Sequence, residues 1–145
     1  MAGFADDVKK WEQKTANKLD TAPRLIAFEL FSKIVKKTPV DTGRARSNWQ
    51  PSIGSPISGV LDSVDQSGSA TIAQIGMIVA NMKAGDTIYL ANNLPYIRKL
   101  EEGGYMAGPK VVNGYSSQAP AGMVALTVQE FQSIVAAIGI ELSFT

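Results

Sequence analysis

The sequence predicts an α+β protein: a small antiparallel sheet packed with two or three long helices and joined by extended loops. Three observations carry this expectation. Apolar residues recur at helical spacing over residues 4–37, 69–83 and 122–142. Two short stretches, Ser47–Pro51 and Thr87–Asn93, have strand character, and the second alternates with β-branched and aromatic residues. Residues 51–69 and 104–119 are rich in Gly, Ser, Pro and Asn and are too long for tight turns. With 145 residues, 45% of them hydrophobic and 19% charged, the chain suits one domain over 1–145 and is neither disordered nor fibrous.

In the first helical segment, 4–37, Phe4, Val8, Trp11, Leu19, Ile26, Leu30 and Ile34 supply the apolar positions, with Lys9, Lys10, Lys14 and Lys18 on other faces. Pro23 removes an amide donor and clashes with the preceding turn, so a kink or restart is expected there, with Asp20 or Thr21 as the cap. From Arg24 to Lys37 apolar residues spread around much of the cylinder. That pattern fits a buried central helix, or one that packs partly on its own sheet and partly on a partner.

Thr38-Pro39-Val40-Asp41-Thr42-Gly43-Arg44-Ala45-Arg46-Ser47-Asn48-Trp49 follows, the densest run of constrained residue types in the chain. Pro39 pushes Thr38 out of the helical region and ends the helix. Asp41 and Thr42 can bond nearby amides, and Gly43 can take φ > 0. The expected product is a rigid corner built on Pro39, Asp41, Thr42, Gly43 and Trp49, with a short strand leaving it and Pro51 marking an edge or an end. Residues 51–69 read as a flap-like loop with one short strand near Val60. Ser69–Lys83 reads as a strongly apolar helix whose Ala70, Ala73, Gly76 and Ala80 permit close approach, stopped by Ala84-Gly85-Asp86. Tyr96–Glu102 is a short helical turn closed by Gly103-Gly104, and residues 104–119 form an exposed loop or loose hairpin. Pro120 suits the entry to the last helix.

Cysteine and histidine are both absent. That removes disulfides, thiol nucleophiles, the commonest metal ligands and the commonest general base, so no catalytic, cofactor or metal residues are expected. No apolar run reaches 18 residues, so no membrane-spanning helix is expected. The start of the chain lacks the basic-then-apolar pattern of a leader, which points to synthesis in a cytoplasm. The net charge of +1 hides an asymmetry: residues 1–50 carry ten basic and six acidic residues, residues 51–145 four and seven. Halves of opposite sign suit head-to-tail contacts between copies, although a solvated lysine face explains the basic half equally well.

Asp41-Thr42-Gly43 is also the tripeptide of aspartic proteases, which need two facing aspartates. Here a lysine-rich helix precedes it and Arg44 follows, a context for a capped turn rather than a shared proton. Glu101 and Glu102 are adjacent and point about 100° apart on a helix, so they form no carboxylate pair. Local ion pairs with Arg98 and Lys99 are expected instead. Lys33, Lys36, Lys37, Arg44 and Arg46 could contact phosphates, either as a small DNA-binding protein or as the lining of a DNA channel.

The long helix followed by Pro39-Val40-Asp41-Thr42-Gly43, then an Arg and a Trp, resembles the tail-completion or neck proteins of tailed bacteriophages, often labelled putative minor tail component. Leu94-Pro95-Tyr96-Ile97-Arg98-Lys99-Leu100-Glu101-Glu102-Gly103 is similar to the family's Tyr-Ala-x-x-(aliphatic/aromatic)-Glu-x-Gly motif. Ala119-Pro120-Ala121-Gly122-Met123-Val124 is similar to its Ala/Pro-rich entry to the last helix. The family usually has a large aliphatic residue where Ala45 stands, and Arg-Pro where Val124-Ala125 stand. The resemblance implies a structural virion protein, made in the host cytoplasm, that forms a homo-oligomeric ring, a hexamer, at the head–tail junction. It implies portal or connector proteins on one side, a tail terminator or tail tube on the other, and packaged DNA passing through. Capping the tail tube as a terminator is the alternative within that class, and an aspartate-dependent hydrolase is a remote one outside it. On this reading Lys33, Lys36, Lys37, Arg44, Arg46, Arg98, Glu101 and Glu102 are candidates for the interface or the channel.

Overall fold

The computed structural model describes residues 21–83 and 85–137, and the remaining residues, including the predicted helix over 4–20, lie outside the described set. The elements are α1 (Thr21–Lys37), α2 (Arg44–Ser47), β1 (Gln50–Ile53), α3 (Ser69–Val79), β2 (Ile88–Ala91), α4 (Ile97–Glu102), β3 (Val111–Val112), β4 (Tyr115–Ser116) and α5 (Val124–Ala137). The protein is α+β, with helices packed around two separate two-stranded antiparallel ladders, β1–β2 and β3–β4, rather than one sheet.

α1 is the central helix. Its Ile26, Ala27, Leu30, Phe31, Ile34 and Val35 are buried, joined by Ile75 and Val79 of α3 and by Phe131 of α5. Each of the larger side chains contributes about 1.5–3 kcal/mol by leaving water, and Ala27 less. α1 packs on α3 and α5, and α3 in turn packs on β1. The main packing of α1 is thus with helices, and α3 carries the main helix contact with the β1–β2 ladder. The close approach of α1 and α3 depends on Gly76, where a Cβ would sit 3.3 Å from the Phe28 ring. Pro23 falls in the first described turn of α1, where its missing amide costs little. Among the described residues, no helix is long and apolar enough to cross a membrane.

Several boundaries differ from expectation. After the corner the chain forms the helical turn α2 before any strand: the amides of Ser47 and Asn48 donate to the carbonyls of Gly43 and Arg44, both at 3.1 Å. β1 thus begins at Gln50 and runs through Pro51. The register pairs Gln50 with Ala91 and Ser52 with Tyr89, and the Gly54 amide donates to Thr87 at 2.9 Å. Alternation then turns the donorless nitrogen of Pro51 to the open edge, so the ladder loses nothing to it. No strand forms near Val60. α3 ends at Val79 rather than Lys83 because the chain tightens there, with amides of Asn81 and Met82 donating to carbonyls three residues back. Residues 104–119 contain a hairpin whose turn, Asn113 (φ 50) and Gly114 (φ 85), suits a two-residue type I′ connection. α5 starts at Val124, two residues late, since Gly122 at φ 79 cannot be helical.

Candidate binding cleft at the corner

The corner closes at its core on one buried chain of hydrogen bonds. Thr38 Oγ1 donates to the Ile34 carbonyl at 2.8 Å, ending α1, and accepts from Trp49 Nε1 at 2.8 Å. Gly43 supplies φ 95, and its neighbours leave no room for a side chain: a Cβ would lie 2.6–2.8 Å from the backbone of Asp65 and Gln66. Thr42 Oγ1 accepts from the Arg44 amide at 3.3 Å. Asp41, expected as a cap, is exposed, and its side chain makes no hydrogen bond to a described residue. The capping role falls to Thr42 and to the glycine.

Arg46 spreads its guanidinium over three carbonyls, Thr38 at 2.9 Å, Gln66 at 2.8 Å and Lys36 at 2.8 Å. Arg44 reaches the Leu61 carbonyl at 3.4 Å and the exposed Asp62 carboxylate at 3.6 Å. Asn48, fully buried, pairs with Leu61 through both its amide groups, at 3.0 and 2.7 Å, and Ser47 Oγ donates to the Ser63 carbonyl. Gln50 and Asn93 hold Gly59 at 3.1 and 2.9 Å. The segment 54–68 is therefore fastened along its length to the corner, while Ile57, Val60, Leu61 and Val64 stand exposed on it. At its end Asp65 accepts from the amides of Gly68 and Thr71 and from the Thr71 hydroxyl, ordering the start of α3. Partial burial works to raise the Asp65 carboxyl, but these bonds and one from the Ala70 amide outweigh it and hold it below the usual carboxylate value.

The other predicted residues divide. Lys37 pairs with Glu130 at 2.8 Å, and Lys33 lies 5.7 Å from the Phe131 ring centre, so both tie α1 to α5. Lys36, Arg98 and Glu102 are exposed. The expected pairs of Arg98 with Glu101 and of Lys99 with Glu102 do not form. Glu101 instead turns to the start of α5, where its carboxylate accepts from the amides of Met123, Val124 and Ala125 at 2.8, 2.9 and 3.0 Å. These are orphan donors in the field of a helix N-terminus, the place where a carboxylate is best spent. Lys99 lies 4.9 Å from the Tyr105 ring centre.

Between the corner and the hairpin lies a cleft of about 510 Å³. The corner forms one wall, from Pro39 to Ala45. Tyr96 just before α4, Leu100 within it and Tyr105 after it form the other, and Lys110, Val111 and Ser116–Gln118 close it. Gln118 ties the closing segment to the corner wall: its side chain accepts from the Val40 amide at 2.8 Å and donates to the Val40 carbonyl at 2.9 Å. Among the described residues Asp41 is the one acid lining the cleft. Among the described residues no group of His, Cys, Asp or Glu could hold a metal ion.

Sequence reasoning missed Gln118, Asn48, Tyr96, Tyr105 and Lys110 as site residues. Only the aromatic–basic composition of 96–110 offered a signal. No family model, no curated protein and no solved structure matches the chain.

Proposed function

We propose that the chain is a structural protein of a tailed-bacteriophage particle. It forms a homo-oligomeric ring at the head–tail junction, as a tail-completion or neck component between connector and tail, around the path of the DNA. The observation that carries the reading is that the three segments bearing the resemblance interlock. Gln118, which leads into the third segment, pairs with Val40 of the first, and Glu101 of the second caps the helix that follows Met123 of the third. Leu94, Leu100, Ala119 and Met123 are buried in the same core as Trp49. Residues so placed serve architecture, and the fastened segment 54–68, with its exposed aliphatic residues, suits contact with other subunits. Native mass spectrometry and electron microscopy of the purified protein test the reading. Closed rings, six-membered on the resemblance, are the expected result. A chain that stays monomeric at high concentration and is missing from particles would sink it.

A further inference from the structure

The cleft at the corner has the chemistry of a peptide-binding site, and we infer that it takes an acidic extended segment of another protein that carries an aliphatic side chain. The inference rests on the cleft alone and not on the ring reading. Its volume of about 510 Å³ suits a few residues of extended chain, and its walls include Leu100 and Val111, which an aliphatic side chain can cover. Two cations line the cleft, Lys110 and Arg44, the latter also paired with the exposed Asp62 at 3.6 Å, and Lys99 stands beside it, over the lining residue Tyr105 at 4.9 Å. Among the described residues the one lining carboxylate is that of Asp41. Lys110 is exposed and makes no ion pair with a described residue, so its charge is available to a ligand. After residue 50 the balance is acidic and only four basic residues occur, and two of them, Lys99 and Lys110, stand beside or in this cleft. Two tyrosines provide rigid amphipathic surface of the kind favoured at protein contacts. A nucleic-acid duplex fits less well: it has phosphates for the cations but no aliphatic group for the wall, and a convex duplex does not enter a concave cleft.

The probe is a fluorescein-labelled decapeptide of alternating Glu and Leu, followed by fluorescence anisotropy against the full chain, with the Lys/Leu counterpart and a 20-base-pair duplex as competitors. The Glu/Leu peptide is expected to bind, and neither competitor to displace it. Lys110→Glu and Tyr96→Ala, both at exposed positions, are expected to weaken binding by about ten-fold or more, while Lys83→Glu, outside the cleft, leaves it unchanged. Circular dichroism verifies that each variant is folded. No binding by the wild-type chain overturns the inference, as does binding that Lys110→Glu and Tyr96→Ala leave intact, or displacement by the duplex. Because the assay is read on the soluble chain whatever its oligomeric state, its failure is distinct from a failure to form rings.

Discussion

Trp49 Nε1 donates to Thr38 Oγ1 at 2.8 Å, and the two atoms are buried where the chain turns from α1 towards the β1–β2 ladder. The bond fixes the angle between the central helix and everything after it. Thr38→Val keeps the shape but leaves a buried indole N–H unpaired, so it is expected to cost about 1–3 kcal/mol in chemical denaturation. Thr38→Ser keeps the hydroxyl and is expected to cost about 1 kcal/mol, the worth of one methyl. Adding Trp49→Phe to Thr38→Val should cost less than Trp49→Phe alone, because the stranded donor is then gone.

Gly43 and Gly54 both have φ near 95, yet their surroundings differ. A Cβ at Gly54 meets nothing within 4 Å, whereas at Gly43 it meets backbone of residues 65 and 66. Gly54→Ala is expected to cost about 1 kcal/mol, for the left-handed conformation alone. Gly43→Ala must also displace segment 54–68, and should exceed about 2 kcal/mol. Limited proteolysis separates the two: Gly43→Ala should open cleavage between residues 54 and 68, and Gly54→Ala should not.

The fold was legible in the sequence where the cause is local. Pro39 ends α1 at Lys37, Gly43 turns left-handed and Gly103 closes α4, each through the residue's own backbone preference. It was illegible where the cause is distant. Glu101 lies 22 residues from the Met123 amide and Gln118 lies 78 from Val40, and spacing along the chain says nothing of such meetings. Glu101 next to Arg98 reads as a surface pair because only the folded chain offers it three better donors. The order of segment 54–68 was hidden for the same reason: side chains of 44–50 and 93 hold it. Asn113-Gly114 is a different lesson, since the hairpin signal stood in the sequence while residues 104–119 read as loop or loose hairpin.

Glu101 also carries a prediction of its own. Its carboxylate serves three amides at the start of α5. Glu101→Ala should cost about 1–3 kcal/mol and speed hydrogen exchange of the amides of residues 123–125. Glu101→Gln keeps an acceptor but loses the charge, and should fall between. Gly122→Ala should be worse than either, because φ is 79 and the new Cβ would lie 2.5 Å from the Glu101 carbonyl.

Asp41→Asn tests whether the aspartate of the protease-like tripeptide caps the turn. The side chain is exposed and free of hydrogen bonds to described residues, so stability should change by less than about 0.5 kcal/mol. A loss of 1 kcal/mol or more would show that Asp41 caps the turn in solution.

Asp65 supplies the pH dependence. Its folded-state carboxyl is held below the ordinary aspartate value by its hydrogen bonds, so between the folded and unfolded values the unfolded chain binds more protons. Its contribution is therefore complete above about pH 4 and falls away as pH drops through the lower, folded value. Asp65→Asn should lose the contribution at every pH above that window, because it keeps one acceptor for the Gly68 and Thr71 amides but no charge. Denaturation curves of the two proteins should lie apart at neutral pH and converge in acid. Curves that stay parallel down to pH 2 would mean that the carboxylate is not stabilised by the start of α3.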